Sequence, residues 1–288
     1  MQQRRIAGTT VSAIGLGGMP MSIEGRPEDR QRSIATIHAA LDAGVTLIDT
    51  ADAYHLHADE VGHNEELIAE ALASYRGGTA VDEVLVATKG GHLRPGDGTW
   101  TLNGRPEYLK QACEASLRRL KVDAIGLYQF HRPDPQVPYA ESVGAIRDLL
   151  DEGKVRLAGI SNANPDQIRQ AREILGGRLA SVQNQFSPAF RSSEPELELC
   201  AELGIAFLPW SPLGGISKAG ELGSQFSAFA DVAARHGVSP QQVGLAWELA
   251  KAPVVIPIPG ASRPETIRDS AAAGDLRLSQ TELAQLNS

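Results

Sequence analysis

Four residues of this chain are able to move or polarise a proton, and each stands at or just past the end of an apolar run. Asp49 closes VTLID and Tyr54 follows five residues later in IDTADAY; Lys89 ends VLVATK before two glycines, leaving the apolar wall for an open loop; and His131 ends AIGLYQFH. If the three runs are parallel strands of one barrel, the four side chains converge on one rim. An isolated tyrosine, with a pKa of about 10, is a poor acid toward a carbonyl oxygen. An ammonium beside it favours the tyrosinate, lowers that pKa and eases the transfer. Lys89 can supply the charge, Asp49 can keep the lysine protonated and aimed, and His131 can hydrogen-bond and orient the carbonyl. The set reads as proton delivery for carbonyl reduction. Two other readings stand beside it. Asp49 and Lys89 could be a structural ion pair closing the barrel top. Lys89 could instead be the nucleophile of a Schiff-base lyase, although a paired lysine stays protonated and is then no nucleophile.

The elements that must position these residues alternate along the chain. Strand-like runs fall near 12–17, 45–49, 83–89, 124–131, 157–162, 180–185, 205–210 and 254–259. Amphipathic helical patterns fall at 28–43, 64–75, 106–120, 139–152, 165–175, 194–203, 226–236, 240–250 and 262–273, and the glycine- and serine-rich stretch 211–224 reads as a loop. Ser262 with Glu265 three residues on has capping-box spacing at the start of the last of these helices. Alternating strands and helices imply parallel pairing with right-handed crossovers. Eight such units in one chain predict an α/β fold, a (β/α)8 TIM barrel, with residues 1–288 as a single domain. Residues 4–11 form a short N-terminal hairpin around Gly8-Thr9 that can plug the barrel bottom, and 280–286 a short C-terminal helical tail.

Composition narrows the function classes. The chain is 42% apolar and 22% charged, in the range of an ordinary soluble globular protein. A net charge of −8 and a pI near 5.4 argue against nucleic acid or an anionic membrane as partner. No apolar run approaches the roughly 18 residues of a spanning helix. The N-terminus carries two arginines without the apolar core of a signal peptide. Cys113 and Cys200 fall on predicted helices and read as buried thiols of a reducing compartment, which predicts a cytoplasmic protein. No apolar helix face is left over, so a monomer or weak homo-oligomer is expected. IGLGGM at 14–19 has two glycines of a Rossmann fingerprint but lacks the third and its acidic partner. A cofactor must be held another way.

IDTADAY, VATKGG, GLYQFHRPDP, EGKVRLAGISNAN, SVQNQFSP, LPWSPLGG and SPQQVGLAWELA occur in this order over nearly the whole length. In their content and order these segments resemble the aldo-keto reductases. The resemblance implies a (β/α)8 barrel that reduces a small-molecule aldehyde or ketone by hydride transfer from an extended nicotinamide dinucleotide, NADPH in preference to NADH. It implies Tyr54 as general acid, Lys89 and Asp49 as its tuning pair, and His131 as the carbonyl-positioning group. It places Ser161, Asn162 and Gln183 at the nicotinamide carboxamide, Trp210 on the ring, and Ser211, Leu213 and Gly214 along the pyrophosphate. Gly18, Met19, Gly260, Ser262 and Asp269 complete the implied cofactor contacts. Most members carry tyrosine at Trp210, but an indole covers a flat ring as well. A helix start near Ser262 would offer free N–H groups to a 2′-phosphate, with Arg263 and Arg268 as charge partners. Thr266 and Ser270 depart from the arginine and asparagine of several family patterns at the adenine end.

Around the site, the loop HLHADEVGHNE holds His55, His57, Asp59, Glu60 and His63, ligand types for a metal, but no rigid element is expected to fix them and no metal is assigned. Trp100, in the 91–104 loop, is a candidate substrate contact. Arg132 reads first as an exposed arginine, with contact to an acidic substrate as the alternative. The short tail implies an open, tolerant pocket, and sugar aldehydes, aryl aldehydes, pyridoxal and keto-steroids all stay open as substrates. A slow or non-catalytic NADPH-binding redox sensor is the rival reading, against which the intact Tyr54, Lys89, Asp49 and His131 set counts.

Overall fold

A computed structural model describes residues 1–216 and 218–287. Seven parallel strands form one sheet in the spatial order Ala206–Phe207, Leu179–Gln183, Val155–Ser161, Ile125–Phe130, Leu85–Gly90, Leu47–Asp49 and Leu16–Gly17. The ring closes through residues 255–260, which bridge Phe207 at Val255 and Gly17 at Gly260, both in parallel. The fold is therefore a (β/α)8 barrel. Its helices follow the expected pattern closely; Pro106–Leu120 and Glu194–Leu203 have the expected limits, and Arg30–Asp42, His63–Ser74, Tyr139–Asp151 and Pro165–Ile174 differ only at their ends. Caps set several of these limits. Asn164 and Gln167 form a reciprocal capping box at the start of Pro165–Ile174, and left-handed Gly204 and Gly237 stop the helices before them.

The expected strand at 254–259 is present only as bridges, and its prolines explain this. Ile256 and Ile258 donate backbone N–H bonds of 2.9 and 3.2 Å to Phe207 and Pro209 on one side. On the other side Pro257 and Pro259 accept from Gly15 and Gly17 at 2.9 Å but have no N–H to return. The seam is half a ladder. The same lack of a donor at Pro209 shortens the expected 205–210 strand to two residues.

An apolar floor underlies the polar rim. Leu47, Leu85, Ala87, Leu127, Ala180, Ala206 and Ile256 pack inside the barrel against Ile6 and Val11 of the N-terminal hairpin. That hairpin pairs Gln3–Ile6 with Thr9–Ser12, and its tight turn is Ala7-Gly8, at φ 45° and 94°, rather than Gly8-Thr9.

Three further expectations are corrected. The 211–224 loop contains the short helices Ala219–Glu221 and Leu222–Gln225. The helix expected from Ser262 starts at Pro264, with Arg263 as its N-cap and no side-chain cap bond. Proline at the first helical position moves the N-cap from Ser262, where the Ser262–Glu265 spacing put it, to Arg263, one residue later. The 91–104 loop is an antiparallel hairpin of His92–Leu93 with Thr101–Leu102. No helix of the described residues is long and apolar enough to cross a membrane.

The seam generates a test. A Cβ at Gly17 would lie 2.8 Å from the Ile258 carbonyl oxygen and 3.3 Å from the Gly260 backbone. Gly17→Ala should lower unfolding free energy by about 1–3 kcal/mol, the usual cost of overpacking a tight site, as read by urea denaturation.

Candidate active site

The strand ends place the four proton-handling residues together. Asp49 ends Leu47–Asp49, Lys89 lies inside Leu85–Gly90, His131 follows Ile125–Phe130, and Tyr54 hangs from the loop after Asp49. Lys89 is a strand residue, as the 83–89 run predicts, but it is 0% exposed and the strand runs one residue past it, so it does not leave the wall for an open loop. Its ammonium donates to Asp49 Oδ2 at 2.6 Å, to the Thr50 carbonyl at 2.8 Å and to Tyr54 Oη at 3.0 Å. Those are all the donors an ammonium has. The other Asp49 oxygen accepts from Gln183 Nε2 at 2.7 Å. The His131 ring meets the Tyr54 ring edge-on at 5.9 Å.

The electrostatics correct one expectation. Burial raises the Tyr54 pKa above its ordinary 10.0; the Lys89 charge pulls it down and the Asp49 charge pushes it up, and the net shift is upward. Tyr54 therefore keeps its proton through neutral and alkaline pH, and Lys89 offsets part of the burial cost of its tyrosinate. For Lys89 burial works downward, but the Asp49 charge and the bonds to Asp49 and Tyr54 outweigh it, so the ammonium persists above 10.5. His131 is held well below 6.5, first by burial and then by Lys89. It is a neutral imidazole, and its buried Nδ1 has no protein partner. Asp52, behind Tyr54, is pushed up to about 8 by burial and then by Glu65, so at neutral pH it is mainly protonated and adds little charge.

A cavity of about 1180 Å³ opens over this cluster. That exceeds the roughly 300–1,000 Å³ of a common ligand pocket. It runs from Tyr54 and His131, past Ser161, Asn162, Gln183 and Trp210, along Ser211 and Leu213, to Gly260, Ser262, Arg263 and Asp269. Two lining residues, Asn162 and Ser211, hold non-glycine left-handed backbone at φ 56° and 51°, the kind of strain that clusters at ligand sites. Trp210 Nε1 is buried without a partner. An elongated ligand with a flat polar ring at the tetrad end and an anion at the start of Pro264–Ala272 fits these features.

Most of the expected site residues come together here, Met19 among them, and three do not. Gly18 is turned against Asn64, with Gly17 taking the lining position; Gly215 rather than Gly214 faces the cavity; and Arg268 is exposed and away from it. Arg132 is half-buried in the wall and bonds Asn162 Oδ1 at 3.2 Å, which corrects the exposed reading. Trp100 lines the cavity at 38% exposure and stacks on His92 at 4.6 Å. Pattern reading missed His92, Leu102 and Gln241, which no spacing marks; the hairpin and the helix Pro240–Lys251 deliver them. The histidine-rich loop has other engagements. Glu60 pairs with Arg26 at 2.9 Å, and His63, which opens a helix and so does sit on a rigid element, bonds Ser22 at 2.8 Å and Arg30 at 3.2 Å.

The pattern of the "Aldo/keto reductase family" matches residues 13–288. The chain belongs to that family. An uncharacterized oxidoreductase of Schizosaccharomyces pombe is 35% identical over 288 residues, spanning 98% of this chain and 88% of its own. The pyridoxine 4-dehydrogenase of Escherichia coli is 32% identical over 287 residues, covering 96% of this chain and 94% of its own. The aldo-keto reductase of Klebsiella pneumoniae, solved in complex with NADPH, superposes with a TM-score of 0.81 at 29% identity, over 100% of this chain and 95% of that one.

The buried ion pair predicts two effects. Asp49→Asn leaves the Lys89 charge unpaired and should cost about 3–5 kcal/mol of stability. Because the folded Lys89 pKa lies above its ordinary 10.5, the wild-type contribution is present below that pH and is lost as pH rises through the folded value. Removing Asp49 leaves burial unopposed and lowers the folded Lys89 pKa, so thermal melts should show the wild-type lead over Asp49→Asn at neutral pH and a narrowing of that lead as pH rises past 10.5.

Proposed function

We propose that this protein is an NADPH-dependent reductase that converts aldehydes or ketones to alcohols, with Tyr54 as general acid. The observation that carries this reading is the Tyr54 hydroxyl held 3.0 Å from the Lys89 ammonium beside the cavity. A nicotinamide, when bound, supplies the hydride to the carbonyl carbon. The carbonyl oxygen gains negative charge as this happens and takes the Tyr54 proton. Lys89 stabilises the resulting tyrosinate, and Asp49 holds Lys89 charged and aimed through its 2.6 Å bond. Neutral His131 donates a hydrogen bond that orients the carbonyl. Lys89 has no free lone pair while protonated and so is no nucleophile, which counts against a Schiff-base lyase.

In the same reading, Trp210 covers the nicotinamide face. Asn162 and the Oε1 of Gln183 take the carboxamide, since Gln183 Nε2 is committed to Asp49, and Ser161 supports them. Ser211 and Leu213 flank the pyrophosphate. Arg263 at the Pro264–Ala272 start faces the 2′-phosphate, which favours NADPH over NADH. Arg268 drops out of this role. Residues 1–288 act as one barrel domain. Cys113 and Cys200, both buried free thiols, suit the reducing cytoplasm.

Titrating the protein with NADPH should quench tryptophan fluorescence through Trp210, and para-nitrobenzaldehyde should then oxidise the NADPH. Tyr54→Phe should keep the quench and lose about 10²–10⁴ in kcat, the usual worth of a general acid. Turnover undiminished in Tyr54→Phe would remove Tyr54 as the acid, and absence of any NADPH effect would remove the cofactor. Since Tyr54 titrates above 10.0 and His131 well below 6.5, a rate profile for the reduction step should show no break near pH 6.5; an inflection near pH 8 would report Asp52, whose ionisation raises the Tyr54 pKa further.

A further inference from the structure

The cavity wall beside Asn162 carries a cation with no counter-charge. Arg132 follows His131 directly, is half-buried, and lines the cavity beside His92, Trp100 and Leu102. Among the described residues it makes no ion pair within 4.0 Å. Its single side-chain bond is from Nη2 to Asn162 Oδ1 at 3.2 Å, and its Nε is buried with no partner. The other cations near the reaction centre are engaged: Lys89 with Asp49, and Arg94 with Glu24. Neighbouring groups offer Arg132 no anion. Asp49 accepts from Lys89 and Gln183 already, and Asp269, at the far end of the cavity, accepts from Ser239 and Gln242. His92 is pushed down to about 4, by burial and then by Arg132, so it is neutral. Holding a guanidinium partly desolvated without a counter-charge is costly unless a ligand supplies one.

We infer that Arg132 is a specificity-determining residue that receives the carboxylate of the carbonyl substrate, so that the preferred substrates are aldehydes or ketones bearing a carboxylate a few bonds from the reacting carbon. This rests on the reductase reading above. The planar fork of a guanidinium matches a carboxylate. The His131 ring sits 4.9 Å from His92, and His92 lies 4.6 Å from Trp100 with a 32° tilt. A carbonyl placed at Tyr54 and His131 therefore lies against an aromatic surface, and the residue next to His131 is the arginine. A flat, carboxylated aryl aldehyde meets all three features.

The test compares the three formylbenzoates with the three formylbenzamides, which have the same shape without the charge. Steady-state rates would be measured with wild type, Arg132→Met and Arg132→Lys, with para-nitrobenzaldehyde as the uncharged reference. In wild type at least one formylbenzoate should exceed its amide by about tenfold in kcat/KM, the order expected of one charge-assisted hydrogen bond, with most of the difference in KM. Arg132→Met should bring that ratio to about one, and Arg132→Lys should retain part of it, which also guards against a misfolded methionine variant. A wild-type ratio near one for all three pairs overturns the inference, and so does a ratio unchanged in Arg132→Met. If the nitro compound is reduced and no formylbenzoate is, the carboxylate inference alone falls. If no aldehyde is reduced at all, the reductase reading falls and takes this inference with it.

Discussion

One buried ion pair, Lys89 with Asp49, constrains the rest of the site. A lysine at 0% exposure is tolerated only because each of its ammonium donors meets an acceptor: a carboxylate, a carbonyl and a phenol. That requirement reaches into the sheet. Asp49 pairs in register with Ala87, and Lys89, two residues on, points to the same face. Lys89 in turn pairs with Gln129, whose side-chain oxygen accepts from Ser181 at 3.1 Å, while Gln183 holds the second Asp49 oxygen. The barrel interior therefore changes character along its axis. It is apolar at Leu47, Leu85, Leu127 and Ala180 and becomes polar at the rim, where Lys89 and Asp49 are fully engaged while Gln129 Nε2 and His131 Nδ1 are left without a partner. A slip of one residue in any of these strands would turn a charged or amide side chain into the outer helix layer.

The same layer sets the proton chemistry. Burial alone would make Tyr54 a poorer acid than tyrosine in water. The Lys89 charge works against burial without overcoming it, so the hydroxyl stays protonated at neutral pH. Neutral His131 and largely protonated Asp52 keep further charge from the site. At the Tyr54 hydroxyl the Lys89–Asp49 pair supplies the leading charges, while Arg132 adds an unpaired cation on the His131 and His92 side.

The mouth of the barrel is built differently from its floor. The closing segment carries Pro257 and Pro259, so no N–H from those positions is left unpaired where the ladder opens. Gly17 and Gly260 allow the backbones to meet there. The cavity lies along this seam, between the half-ladder and the helix that begins at Pro264. Left-handed Asn162 and Ser211 line it. Regular strands carry Asp49 and Lys89, and irregular backbone lines the cavity.

Much of this was legible in the residue order, for identifiable reasons. The alternation of apolar runs and amphipathic stretches specified eight βα units, because buried parallel strands and surface helices carry different hydrophobic periods. Asp49, Tyr54, Lys89 and His131 were legible because strand ends in such a barrel share one rim. Local patterns failed where a donor was missing or a neighbour decided the outcome. Proline removed the strand at 254–259 and moved the helix N-cap from Ser262 to Arg263. Three-dimensional packing alone turned Gly18 onto Asn64, sent Arg268 to solvent, set His92 edge-on to His131 with Trp100 against His92, and drew Arg132 into the wall. The sequence by itself determined which groups stand at the rim, since that follows from periodicity and chain order. Only the tertiary structure decided which of them are desolvated, which are neutral and which cation is left without a partner, because those properties depend on what the other strands and loops bring within a few ångströms.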